Sequence, residues 1–171
     1  MNKIAFLTLL FTTIFYCPSI SAQTLRASFI NWNLFTTEYQ DKKICYLVSL
    51  PVERRGNYYH RGEPYILITN IDNNSEEVSI SSGYFYKKNS EVELSFGLEK
   101  IGLFTYDDLA WAYNSVEDIE IIKQMRKSQS VVVSGIKYDE SYSQDTYSLI
   151  GFTKAYYKMK EVCYNKQEDN L

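Results

Sequence analysis

Polar and apolar residues alternate along most of this chain, and this pattern limits the folds that it can form. Residues 77–81 alternate without interruption, and so do residues 91–96. Residues 43–50 are apolar on both sides, which is typical of a central strand, and residues 29–35 indicate a further strand with mixed faces. Such strands recur about every 10–15 residues with turn residues between them, which is typical of a β-sandwich. We therefore predict a mainly β protein with antiparallel strands.

Two segments depart from this alternation and have the periodicity of helices. In the first, Ser115 is predicted to be the N-cap and Asp118 to complete a capping box. Its apolar residues recur every three positions, and we expect them to face the core: Val116, Ile119, Ile122 and Met125. The second segment follows Gly151, and its apolar stripe comprises Phe152, Ala155, Tyr156, Met159 and Cys163. The sandwich should therefore carry an internal helix and a C-terminal helix.

The N-terminus has the composition of a secretory signal peptide. Lys3 supplies a positive charge, residues 4–16 carry no charge, and Pro18 precedes small residues that end at Ala22. The apolar stretch is shorter than the roughly 20 residues of a membrane span. We predict a signal peptide at residues 1–22, a single β-sandwich domain at residues 23–163 and a polar tail at residues 164–171.

The cysteines fit an exported protein in an oxidising compartment. Cys17 lies in the signal segment, so that Cys45 and Cys163 remain in the exported chain. An even pair in such a protein predicts one disulfide, and the alternative is two buried thiols.

The charge of the chain disfavours some partners. The net charge is −3, and it becomes −4 when Lys3 is removed with the signal peptide. A mildly acidic chain is not suited to coat nucleic acid or anionic membranes by bulk charge. No second apolar run approaches the ~18 residues of a transmembrane helix. We therefore expect no nucleic-acid partner and no transmembrane helix after signal removal.

The order and spacing of six segments carry a resemblance to a known family. They lie at residues 45–51, 61–65, 83–87, 108–111, 125–127 and 145–163. Together these segments resemble the invasion-associated locus B family of exported bacterial proteins. The resemblance implies an immunoglobulin-like β-sandwich in the periplasm or at the outer membrane, and a link to virulence through host-cell entry. It implies no enzymatic activity and supplies no catalytic residues.

No catalytic, cofactor or metal site is predicted from the residues themselves. His60 is the only histidine, so a Ser/His/Asp or Cys/His arrangement would have to use it, and it lies in a loop-like segment. A zinc site needs three or four ligands, which one histidine and two paired cysteines do not supply convincingly.

One predicted loop, at residues 53–61, concentrates arginine and tyrosine in an otherwise acidic chain. Arginine binds phosphate or carboxylate, and tyrosine offers area for stacking. The candidate binding residues are Arg54, Arg55, Tyr58, Tyr59, His60 and Arg61. If this loop binds an anionic partner, these side chains should be exposed and clustered. The alternative is a solvated loop whose arginines pair with acidic groups such as Glu53 and Glu63.

These observations favour a non-enzymatic envelope protein that binds another protein or a component of the envelope or host surface. One alternative is an exported hydrolase that acts on envelope material, although no nucleophile has a plausible base near it in sequence. Another is a structural factor that protects the envelope against stress and has no specific ligand.

Overall fold

The computed structural model describes residues 23–40, 42–72 and 75–164, and within them the chain forms eleven strands and two helices. In chain order these are β1 (Thr24–Phe29), β2 (Trp32–Tyr39), β3 (Lys42–Ser49), β4 (Glu53–Gly56), β5 (Tyr65–Asp72), β6 (Ser75–Ser81), β7 (Glu91–Ser95), β8 (Lys100–Tyr106), β9 (Leu109–Trp111), α1 (Ser115–Lys127), β10 (Ser130–Ile136), β11 (Tyr142–Ser148) and α2 (Phe152–Tyr164). All the strand pairs are antiparallel, which confirms the predicted class. The predicted signal peptide and residues 165–171 lie outside the described residues.

The strands form one hydrogen-bonded sheet in the order β1-β2-β3-β5-β6-β9-β8-β7-β10-β11-β4. The three-residue strand β9 pairs with β6 on one side and with β8 on the other, so it joins two halves of the sheet. Alternate residues of both halves point into one hydrophobic core, as strand geometry requires. This core includes Leu34, Leu47, Ile68 and Val78 from the first half and Val92, Leu94, Leu103 and Val133 from the second. The halves therefore pack face to face as a sandwich.

Helix α2 covers part of this core beside β1, β2 and β3. The ring of Phe152, at its start, lies 4.8 Å from the ring of Trp32 in β2, centroid to centroid. The predicted disulfide is present and joins Cys45 in β3 to Cys163 in α2, with 6.2 Å between the Cα atoms. The helix includes Tyr164, the first residue of the predicted tail. Within the described residues, neither helix is long and apolar enough to cross a membrane.

The N-terminus of α1 differs from its prediction. Asn114, and not Ser115, is the N-cap, because its side-chain oxygen accepts two N–H groups of the first turn at 3.0 and 3.1 Å. Asp118 does not complete a capping box, since its Oδ1 accepts the N–H of Val78 in β6 at 2.8 Å. This part of β6 extends beyond its pairing with β9. Asp118 of the helix thus accepts a hydrogen bond from a backbone N–H at a strand edge, where that N–H would otherwise lack a partner strand.

The buried face of α1 is also rotated from the predicted one. The residues that are buried are Asp118, Ile121, Ile122 and Met125. Val116 is 72% exposed and Ile119 is 63% exposed, so their predicted place in the core is wrong. An α-helix has 3.6 residues per turn, so residues spaced strictly by three drift around its surface. The four buried residues are separated by three, one and three positions, which places them on a single face of the helix against the sheet.

Candidate functional site

The first part of the predicted loop at residues 53–61 is the edge strand β4. It pairs with β11 and places Arg54 opposite Asp145, a contact between distant segments that local patterns do not reveal. The guanidinium of Arg54 forms an ion pair with Glu63, and that of Arg55 pairs with Glu53 at 2.6 Å. Both arginines are therefore paired with the acidic groups that the solvated-loop alternative names.

Arg61 is buried, so the expectation that all six candidate side chains are exposed is wrong. Its side chain is 4% exposed, and its partner Asp145 is 0% exposed. Nη1 of Arg61 donates to Oδ2 of Asp145 at 2.6 Å, and Nη2 donates to Oδ1 at 2.5 Å. The guanidinium carbon lies 4.1 Å from the ring centroid of Tyr58. Burial lowers the pKa of Arg61, but the hydrogen bonds and charge of Asp145 outweigh it and the pKa is raised.

Buried hydroxyl groups surround this ion pair. Nη1 of Arg61 also donates to the carbonyl of Ser82 at 3.2 Å, and the hydroxyl of Tyr86 donates to the Oγ of Ser82 at 2.8 Å. The hydroxyls of Tyr84 and Ser143 are 2.7 Å apart. Burial raises the pKa of both tyrosines, which keeps their hydroxyls protonated. We call this set the arginine cluster: Tyr58, Arg61, Ser82, Tyr84, Tyr86, Ser143 and Asp145.

Two glycines bring the strands of the arginine cluster together. The N–H of Gly62 donates to the carbonyl of Gly83 at 2.7 Å. Gly83 has a φ of +76°, and a Cβ atom there would lie 2.3 Å from the carbonyl oxygen of Gly62. Only glycine fits that approach. Segments 61–65, 83–87 and 145–163, which carry the family resemblance, therefore meet in a structural contact.

Tyr59 and His60 form the exposed remainder of the predicted loop. Their rings meet edge to face, with centroids 4.3 Å apart. Within the described residues, no hydroxyl, thiol or carboxylate is hydrogen-bonded to His60. The described side chains also include no group of three or more His, Cys, Asp or Glu residues that could hold a metal ion. Of the six predicted residues, Arg61 and Tyr58 thus belong to the buried contact, Arg54 and Arg55 are exposed but paired with carboxylates, and Tyr59 and His60 are exposed.

A second surface, which sequence reasoning missed, is built from aromatic residues on β8, on β9 and just before α1. Phe104 lies opposite Trp111 in the β8–β9 register, with ring centroids 5.6 Å apart. The ring centroid of Tyr113 lies 5.5 Å from that of Phe104. Phe104 is 37% exposed, Tyr113 is 54% exposed and Trp111 is partly buried, which is unusual exposure for large rings in contact. We call Phe104, Trp111 and Tyr113 the aromatic patch.

Two carboxylates lie against the aromatic patch. Glu91 is opposite Phe104 in the β7–β8 register, and its Oε1 accepts the hydroxyl of Tyr113 at 2.5 Å. Oε2 of Glu117, in the first turn of α1, accepts the N–H of Tyr113 at 3.1 Å. The pKa of Tyr113 is raised, first by its hydrogen bond to Glu91 and further by the charges of Glu91 and Glu117. The patch therefore combines aromatic faces with a negative potential.

A signal for this surface is present in the sequence. Leu103 is buried, so strand alternation points Phe104 and Tyr106 outward, where a solvated strand usually carries polar residues. If the buried face of α1 had been predicted correctly, Val116 and Ile119 would also have been expected at the surface.

Comparisons with known proteins identify one matching family and one similar fold. Residues 32–160 match the family model described as "Invasion associated locus B (IalB) protein". The fold is similar to the crystal structure of invasion associated protein B from Bartonella henselae, with a TM-score of 0.58 and 10% sequence identity over 84% of this chain and 98% of that chain. At that identity the likeness shows the fold alone. No curated protein sequence matches the chain significantly.

Proposed function

The chain belongs to the invasion-associated locus B family, and from this premise we propose that it is an exported, non-enzymatic envelope protein that binds a protein partner during host-cell entry. The family name and the name of the Bartonella henselae protein support the link to invasion. The composition of the N-terminus supports export to the periplasm or the outer membrane.

The aromatic patch is the observation that supports binding. Tryptophan, tyrosine and phenylalanine are enriched at protein interfaces, where a few large side chains contribute most of the binding free energy. In this chain Phe104 contacts both Trp111 and Tyr113, and Phe104 and Tyr113 are exposed to solvent while Trp111 is partly buried. A partner that covers them would remove apolar area from water without any rearrangement of the core.

Export is tested on the protein from the envelope fraction. Cleavage after Ala22 would make Gln23 the first residue of the mature chain. N-terminal sequencing measures this directly. Mature protein that retains Met1 would contradict the export part of the proposal.

Binding at the aromatic patch is tested by photo-crosslinking in intact cells. A benzophenone amino acid is placed at Phe104 and, as the control, at Tyr138, an exposed aromatic residue that follows β10. We expect a defined protein adduct from position 104 and none from position 138. The same adduct from both positions, or none from position 104 in cells that enter host cells normally, would contradict the proposed function.

A further inference from the structure

The carboxylates beside the aromatic patch indicate which kind of side chain a partner would present to it. Glu91 and Glu117 both contact Tyr113, and neither has a lysine or arginine within ion-pair distance in the described part of the chain. Nearby carboxylates do have such partners, since Glu93 pairs with Lys100 at 2.9 Å and Glu120 pairs with Lys123 at 2.7 Å. Negative charge is therefore left without a cationic side chain beside the exposed rings of Phe104 and Tyr113 and the partly buried ring of Trp111.

We propose that the aromatic patch binds a segment of a partner protein that presents lysine or arginine side chains; this inference rests on the proposed function. A cation over the face of an aromatic ring is attracted by the ring quadrupole, and tryptophan is the best such ring. A carboxylate beside the ring strengthens the attraction through a charge-assisted hydrogen bond. Phe104, Trp111 and Glu91 provide both interactions within one cross-strand row.

The surroundings favour a peptide segment over a small free cation. Val116 and Ile119 are exposed on α1. The N-cap of this helix, Asn114, directly follows Tyr113. Val116 and Ile119 lie three positions apart, so they share one exposed face of the first turns of the helix. Lysine and arginine have apolar stems that pack on such a surface while their charged ends remain near carboxylates. The net charge of −4 in the exported chain adds long-range attraction for a cationic segment.

The two tryptophans allow binding to be measured without a label. Trp32 is fully buried, and its Nε1 donates to the carbonyl of Ser148 at 3.0 Å, so its emission should not respond to a surface ligand. Trp111 is part of the aromatic patch. A change in tryptophan fluorescence on adding a ligand therefore reports on the patch, and Trp111→Phe should abolish the change.

The experiment uses the mature protein and two matched probes. One probe is an acetylated and amidated hexapeptide of alternating lysine and leucine, and the other has glutamine in place of each lysine. We expect the lysine peptide to change the Trp111 emission, with an affinity that falls as salt is raised. The Glu91→Gln/Glu117→Gln variant should bind it at least about fivefold more weakly, because two charge-assisted interactions are lost. Glu99→Gln, an exposed carboxylate outside the patch, should bind like the wild type.

Several outcomes would overturn the inference. Equal binding of the glutamine peptide would show a surface that does not select cations, and no response to the lysine peptide would show that it does not bind them. A response only to phosphatidylcholine vesicles would assign the rings to a lipid headgroup. A concentration-dependent change without any probe, lost in Glu91→Gln/Glu117→Gln, would make a second copy of this chain the occupant. If position 104 still crosslinks to a partner protein, any of these results contradicts only the inference of a cationic partner. The proposed function would then stand.

Discussion

Asp145→Asn should destabilise the protein more than the loss of an exposed charge. The substitution preserves the shape of a side chain that is 0% exposed but removes the charge that neutralises the buried Arg61. Two hydrogen bonds, at 2.6 and 2.5 Å, lose their charge assistance, and such bonds contribute about 1.5–3 kcal/mol each. The new amide also turns N–H groups towards a guanidinium that has only donors. We expect the free energy of unfolding to fall by about 3–5 kcal/mol, as when one partner of a buried pair is removed.

A double-mutant cycle separates the ion pair from the packing around it. Arg61→Met should also be strongly destabilising, because it leaves the Asp145 carboxylate buried without its cation. The double variant has no buried charge at this position, so its cost should be smaller than the sum of the single costs by about 2 kcal/mol or more. Arg54→Met is the matched control. Its pair with Glu63 is exposed, so its cost should be about 1 kcal/mol or less.

Urea unfolding followed by circular dichroism measures these differences without adding salt that would screen the charges. Equal slopes of free energy against urea concentration would show that the variants unfold from comparable states. A loss below about 1 kcal/mol for Asp145→Asn would refute the reasoning, because removing one partner of a buried ion pair should cost about 3–5 kcal/mol. So would single costs that simply add in the double variant.

Further changes test the remaining supports of the fold. Replacing Cys45 and Cys163 with serine should lower the free energy of unfolding by about 4 kcal/mol in urea, because the disulfide closes a loop with a sequence separation of 118. Gly83→Ala should lower the melting temperature more than Gly97→Ala does, since both have positive φ but only Gly83 would place a Cβ atom against backbone. Burial raises the pKa of Asp118 above 3.8, so its contribution to stability is full below that pH and is lost as pH rises through the raised pKa. Asp118→Asn should therefore gain stability relative to the wild type as pH increases above about 4, measured by thermal unfolding across pH, and a constant difference would contradict this.

The sequence predicts the class of the fold because alternation is a local signal. It also predicts the disulfide, since Cys45 and Cys163 are the two cysteines outside the predicted signal peptide. It does not reveal β4, because glutamate and glycine give this edge strand a weak strand propensity. The strand forms through its pairing with β11. The partner of Arg61 lies 84 residues away in sequence, so no local pattern indicates that this arginine is buried.

The turn between β1 and β2 and the start of α1 show how local rules can mislead. The predicted strand at residues 29–35 is interrupted by a hairpin turn between β1 and β2, where Ile30 has a φ of 55°. A β-branched residue rarely adopts this conformation, so the sequence gives no warning of the turn. At the start of α1, Ser115 is an acceptable N-cap by type, but the neighbouring Asn114 takes the position. That shift is small, yet it accompanies the rotated face that leaves Val116 and Ile119 exposed.

The residues that carry the family resemblance and the residues proposed to bind a partner are largely different. Arg61, Gly83 and Asp145 lie in the resembling segments, and the structure uses them to close one part of the sandwich. Phe104 and Tyr113 lie outside those segments, on the outer side of the sheet and just before α1, whereas Trp111 is the last residue of the segment at 108–111. The first group supports the fold, whereas the second is the group proposed to recognise a partner. Stability and binding should therefore be separable, with the arginine cluster governing unfolding and the aromatic patch governing recognition.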